Sequence, residues 1–176
     1  APDIKSAAKD ADLIVLCSPV GTIGQLIVEM APHIMPGCLV TDVGSTKEAL
    51  VLKMEKLIPN GIFFVGAHPI AGSDLSGFLA SSETLYKGAH CIVTPTDKTE
   101  PSALKRVIEL WETIGMQVSE MSIKEHDFIF GAVSHLPHIL IFALMNTIGS
   151  LKSESHDKIA SFSGAGLRDI TRLAGS

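Results

Sequence analysis

Short apolar runs and helical patterns take turns through the first part of the chain, and most changes are marked by a proline or a glycine. Leu13 to Cys17 is apolar without a break and stops at Ser18-Pro19. An uninterrupted run of that kind predicts a buried parallel strand over Asp12–Cys17, followed by a helix start. Val20 to His33 carries a helical repeat and is halted by Pro36-Gly37. A second strand is predicted over Cys38–Val43, a helix over Lys47–Ile58, and a third strand over Ile62–Ala67 that closes on His68-Pro69. The stretch from Ile70 to Lys87 is rich in serine and glycine and reads as a loop. Ala89–Pro95 predicts a fourth strand, Ser102–Ile114 a helix, and Met116–Met121 a fifth, half-buried strand. Strands that alternate with helices imply crossover connections and a largely parallel sheet.

The pattern changes at Ser122. Ser122 and Glu125 stand three apart, a hydroxyl and then a carboxylate, which together satisfy the free N–H groups of a helix start. A long, mostly apolar helix is predicted from there to about Ile148, interrupted by Pro137. A helix this apolar needs a large partner surface, so it predicts the start of an all-helical second domain. From Leu151 to Ser176 the chain is polar and glycine-rich, and helical periodicity survives only near Leu167–Leu173.

Composition narrows the field. The chain is 46% hydrophobic and 19% charged, with a formal net charge of −5 and no Lys/Arg-rich run, which argues against nucleic-acid and membrane-surface binding. The longest apolar stretch, Ile139–Met145, is far too short to span a bilayer, and no basic-then-apolar opening marks a secretory leader. Cys17, Cys38 and Cys91 are odd in number and sit in apolar runs, so they read as buried, reduced thiols of a cytoplasmic protein. The first residue is Ala1 rather than Met, which points to a processed or truncated product.

In open α/β sheets ligands bind outside the carboxyl ends of the strands. Three successive strand ends here carry polar groups and glycines: Ser18-Pro19-Val20, Asp42-Val43-Gly44-Ser45 and His68-Pro69-Ile70-Ala71-Gly72. Each also reads as a turn or cap, and the histidine is the most specific of them. On the long helix, His126 precedes Asp127, and His135 and His138 stand three apart on one face. A metal site is not read there, because no Glu separates the two histidines and no third ligand has suitable spacing. Arg168 and Arg172, four apart, offer forks suited to a carboxylate.

Taken in order, Asp-Val-Gly-Ser, His-Pro-Ile-Ala-Gly, Tyr-Lys-Gly before a strand ending Thr-Pro-Thr, Ser-His-Leu-Pro-His and Gly-x-Gly-x-Arg-Asp-x-Thr-Arg resemble the prephenate and arogenate dehydrogenases. The resemblance runs from about Ala11 to Ala174. It implies an α/β fold: a partial Rossmann-like nucleotide-binding sheet over residues 1–121, then over 122–176 the beginning of a helical substrate-binding and dimerisation domain. The implied reaction is oxidative decarboxylation of prephenate, or alternatively arogenate, in tyrosine biosynthesis, with NAD or NADP as cofactor and a homodimer as the assembly. His68 resembles the family's catalytic histidine, which hydrogen-bonds the hydroxyl on the substrate ring. Ser45 resembles the serine that positions that histidine and the nicotinamide. His126, His135 and His138 match histidines around the substrate pocket, and Arg172 matches the arginine that grips the side-chain carboxylate. Asp74 falls where many members carry Glu. Ser18, Pro19, Val20, Asp42, Gly44 and Ser45 are the expected cofactor-binding residues.

That chemistry suits these residue types. Aromatisation supplies the driving force, so orientation and polarisation are the main demands on the protein, and a neutral imidazole that accepts the hydroxyl hydrogen bond helps expel hydride. The Gly-x-Gly-x-x-Gly turn of a dinucleotide fold is not found; Gly21-Thr22-Ile23-Gly24 has the wrong spacing, and the resemblance places that turn upstream of Ala1. Two other readings stand beside this one. A 6-phosphogluconate-type or hydroxyacid dehydrogenase shares the nucleotide half but carries a lysine on the helix. A truncated core could instead fold or self-associate without turnover.

Overall fold

Five strands form one sheet, in the spatial order β1 (Leu13–Leu16), β2 (Leu39–Asp42), β3 (Phe63–Ile70), β4 (His90–Thr94) and β5 (Gln117–Glu120). The computed structural model describes residues 3–72, 81–151, 161–162 and 164–172. Helices α1 (Ile4–Ala8), α2 (Val20–Met30), α3 (Glu48–Leu57) and α4 (Pro101–Thr113) flank the sheet. Successive strand residues point to opposite faces, and both faces are covered. Ile14, Leu16 and Val40 pack with Ile23, Ile27 and Met54 of α2 and α3, while Leu39, Val65, Cys91 and Val93 pack with Val107 and Trp111 of α4. This is the Rossmann-like α/β layer expected of the sequence, with a sheet that is mixed rather than largely parallel.

The structure differs from expectation in several places. Asp3 caps α1 by accepting the Ser6 amide at 2.8 Å; five residues are too few to show a period in the sequence. Strand β1 is buried on one face only. It pairs with β2 alone among the described residues, and Leu13 and Val15 face outward, 37% and 36% exposed. Cys17, just past its end, is exposed, whereas Cys38 and Cys91 are buried. Strand β5 is mostly exposed rather than half-buried.

The largest difference decides where His68 sits. β1, β2 and β3 run parallel, but β4 lies antiparallel to β3, in register from Gly66↔Thr94 to Ile70↔His90. Pairing with β4 extends β3 beyond Ala67, so His68 and Pro69 belong to the strand and not to a loop. The proline is tolerated because β2 stops pairing opposite Val65, which leaves β3 with a ladder partner on one side only. Gly66 lies at the crossing with α3: a Cβ there would come 2.6 Å from Thr94 Oγ1 and 2.8 Å from Val51 Cγ2.

Beyond the sheet, the helix starting at Ser122 is capped as expected, with the Ser122 hydroxyl accepting the Glu125 amide at 3.2 Å. It runs as α5 (Ile123–Phe130), a π-helical turn (Gly131–His135) and α6 (Leu136–Ser150), without the break expected at Pro137. The wider π turn absorbs the proline at the start of α6, where its missing N–H and its ring would strain a regular α-helix. The last described helix, α7 (Ala165–Arg172), covers much of the weakly periodic stretch near Leu167.

Candidate active site

The first two strand ends meet. Leu16 of β1 pairs with Asp42 of β2, which brings the loops after them side by side. Val20, the first residue of α2, packs on Gly44, where a Cβ would lie 2.7 Å from Val20 Cγ2 and 2.9 Å from Asp42 Oδ2. Pro19 caps α2 and is exposed. The Ser18 hydroxyl is buried and has no hydrogen-bond partner among the described residues. Ser45 is exposed in the β2–α3 loop.

Asp42, expected among the cofactor-binding residues, has a structural task in this fold. It is fully buried, and its carboxylate accepts the Gly44 amide at 2.8 Å and the Ala67 amide at 3.2 Å and pairs with Lys47 Nζ. Lys47 Nζ also donates to the Ala67 carbonyl at 2.8 Å. Both backbone groups of Ala67 are therefore satisfied by side chains where the β2 ladder has run out. Asp42 and Lys47 continue that ladder and fix the backbone just before His68. Burial pushes the Asp42 carboxyl up and the Lys47 ammonium down, and each one's charge opposes the shift in the other. Sequence reasoning missed Lys47. The available signal was its place at the start of α3, where a positive charge opposes the helix dipole and needs a partner elsewhere.

His68 and His126 form the centre of the site. His68 is half-buried near the end of β3, and His126 is fully buried on α5. Their rings meet edge to face, with His68 Nδ1 2.9 Å from His126 Nε2. Phe130, one helical turn beyond His126, covers both rings, at centroid distances of 4.8 Å from His68 and 4.5 Å from His126. His126 Nδ1 lies 2.7 Å from Asp127 Oδ1. Burial, with the neighbouring His126 and Lys47 adding to it, pulls His68 down to about 4. Burial also holds His126 below its usual value, against the pull of Asp127. Partial burial pushes Asp127 up, but hydrogen bonds from His126 and from the backbone amides of Lys47 and Glu48 outweigh it and leave the carboxyl below its usual range. At neutral pH the centre is therefore two uncharged imidazoles beside a carboxylate.

The remaining expected residues divide. His135 lies in the π turn, close enough for its charge to act on His68. His138 Nδ1 donates to the Ser134 carbonyl at 2.7 Å, which leaves its Nε2 an acceptor. No hydrogen bond joins Ser45 to His68 in this structure; His126 takes the Nδ1 position. Asp74 and the side chain of Arg172 lie outside the described residues. A cavity of about 410 Å³ opens along the first part of β3, lined by Ile62, Phe63, Phe64 and Gly66 but not by His68. Its main polar feature is Glu55, which accepts from Thr96 and pairs with Lys98 at 3.3 Å.

Residues 1–120 match the model of the prephenate dehydrogenase nucleotide-binding domain, and residues 122–176 match that of the prephenate dehydrogenase dimerization domain. The chain belongs to the prephenate dehydrogenase family. Among its relatives, a cyclohexadienyl dehydrogenase of Zymomonas mobilis is 33% identical over 99% of this chain and 59% of its own length. A prephenate dehydrogenase of Bacillus subtilis is 36% identical over 97% of this chain and 46% of its own. The prephenate dehydrogenase of Aquifex aeolicus, solved with hydroxyphenyl propionate and NAD+, superimposes with a TM-score of 0.92 at 38% identity, covering 100% of this chain and 61% of that one. Synechocystis arogenate dehydrogenase superimposes with a TM-score of 0.81 at 28% identity, over 100% of this chain and 62% of that one. The chain thus spans about half to three-fifths of the length of these family members.

Proposed function

We propose that the complete protein is a cytoplasmic prephenate dehydrogenase, converting prephenate with NAD(P)+ to 4-hydroxyphenylpyruvate and carbon dioxide. The observation that carries this reading is the placement of His68, held on β3 against His126 and Phe130, beside the loops that end β1 and β2. Those loops suit the nicotinamide end of a dinucleotide: Ser18 offers a hydroxyl with no partner among the described residues, and the β2 turn closes over a glycine that leaves no room for a side chain. Ser18, Pro19, Val20, Gly44 and Ser45 would hold it there, and the bound NAD(P)+ supplies the hydride acceptor.

His68 Nε2 accepts the hydrogen bond of the ring hydroxyl. That bond raises electron density on the hydroxyl-bearing carbon as its hydride departs, while the ring carboxylate leaves as carbon dioxide and its electron pair completes the aromatic ring. The phenol keeps its hydrogen, so His68 polarises and orients without net proton uptake. By the family resemblance, His135 and His138 would face the substrate, Arg172 would bind its side-chain acid, and Asp74 would take the place of the family's Glu. Assay of the complete protein with prephenate and with arogenate, each with NAD+ and NADP+, tests this; absence of turnover in all four combinations contradicts it. The pH dependence is more specific. His68 must be neutral to accept, so kcat/KM should hold from neutral pH down to about pH 5 and fall only as pH drops through about 4. An acid limb near the ordinary imidazole value would place His68 outside the mechanism. Folding follows the same sign. The unfolded chain binds protons at these histidines more readily than the folded one, so stability declines as pH falls below the ordinary imidazole range toward about 4.

The assembly proposed is a homodimer through α5–α6. Phe128, Val133, Leu136, Ile139 and Leu140 are between 51% and 79% exposed, far more apolar surface than a lone helix sustains in water. By length and composition the 28-residue helix could also cross a membrane, contrary to what its longest apolar run predicts. Its first turns, however, are bonded to the sheet domain through His126 and Asp127. Sedimentation of the complete protein at micromolar concentration without detergent should show a dimer or larger. A clean monomer, or a protein soluble only in detergent, would contradict this assignment.

A further inference from the structure

We infer that Asp127 is a positioning residue for this reaction: acting through His126, it sets the tautomer of His68 that leaves Nε2 bare toward the substrate. The inference rests on the function proposed above and adds to it a residue that never meets substrate.

The geometry forces the assignment one proton at a time. Asp127 Oδ1 accepts the Lys47 amide at 2.7 Å, and Oδ2 accepts the Glu48 amide at 2.9 Å. Backbone amides only donate, so both oxygens act as acceptors, as an ionised carboxylate does. His126 Nδ1, 2.7 Å from Oδ1, must then carry a hydrogen. A neutral His126 with its proton on Nδ1 has a bare Nε2, which can only accept. Across the 2.9 Å contact the hydrogen therefore belongs to His68 Nδ1. A neutral His68 protonated at Nδ1 has its lone pair on Nε2, the state that accepts a hydroxyl hydrogen bond. With the opposite tautomer, His68 would present an N–H and could only donate.

Asp127 also joins the site to the fold. Lys47 stands at the N-cap of α3 but its side chain does not cap the helix, and Asp127, eighty residues later in the chain, supplies the acceptor for the first amides there. One carboxylate thus orders the histidine pair and the helix that carries the buried Lys47.

Asp127→Ala removes the acceptor from His126 Nδ1, and with it the group that fixes both tautomers. In the complete protein, nitrogen-15 correlation spectra of the imidazoles should show His68 protonated at Nδ1 in wild type and a large share protonated at Nε2 in Asp127→Ala. The variant's kcat should fall about 10-fold with KM for both substrates within about threefold, the signature of an interaction used in the transition state. Ser122→Ala, which removes the α5 cap only, should lower Tm by about 2–4 °C and leave both the tautomer and kcat unchanged. His68 protonated at Nε2 in wild type overturns the inference, even if the variant fails to fold. So does an Asp127→Ala enzyme with near-wild-type kcat, which would make Asp127 a helix cap only. If wild type turns over neither substrate, the proposed function fails, while the spectra still decide the tautomer.

Discussion

Replacing His68 with asparagine in the complete protein is expected to lower kcat by about 10²- to 10⁴-fold, with a smaller effect on KM. Asparagine can still offer an N–H toward His126 and occupy the space beneath Phe130, so the strand and the helix stay in place. What disappears is the ring nitrogen that accepts the substrate hydroxyl. Because His68 lies within β3, paired to Ile92 on β4, no loop rearrangement can bring another base to the same point. Steady-state kinetics at neutral pH, with Tm measured alongside, checks this. Near-wild-type turnover would remove His68 from the mechanism, and a large loss of Tm would show that the ring is mainly structural.

The second large effect concerns stability. Lys47→Met should cost about 3–5 kcal/mol, because it strands a buried carboxylate. Asp42 is fully buried, and Lys47 is its charged partner among the described residues. The same substitution leaves the Ala67 carbonyl without its side-chain donor. Adding Asp42→Asn should restore much of the loss, since an amide is far cheaper to bury than an unpaired charge and can still accept from Gly44 or Ala67. Chemical denaturation of the single and double variants measures both steps. A single variant within about 1 kcal/mol of wild type would show that the pair contributes no more than an exposed one does.

The sheet was largely legible, because β1, β2 and β4 are short runs dominated by apolar and β-branched residues and bounded by prolines and glycines. The end of β3 was not. Whether His68 and Pro69 leave the strand or stay in it depends on β4, whose antiparallel pairing is set by residues 90–94, and no local pattern carries that. His68 stood out because a histidine at an apolar strand end between glycines is unusual. Lys47 did not, because its neighbours are polar and its burial comes entirely from tertiary contacts. The helix after Ser122 was read correctly at its capped start and wrongly at Pro137, since sequence rules count the lost hydrogen bond and not the wider turn that compensates for it. His126 and Asp127 were visible as neighbours, but their separate partners on β3 and α3 were not.

The carboxylate at position 127 bears on how proteins of this kind can be cut and rejoined. A fragment ending at residue 121 would lose the acceptor for the Lys47 and Glu48 amides and the ring that holds His68 Nδ1. Each orphaned amide that stays buried costs about 1–3 kcal/mol. The seam between the two family-matched regions is therefore not a neutral hinge across which parts can be traded. A transplanted helical half would have to bring its own acid and imidazole to the same place, or the recipient would lose a helix cap and its poised histidine together.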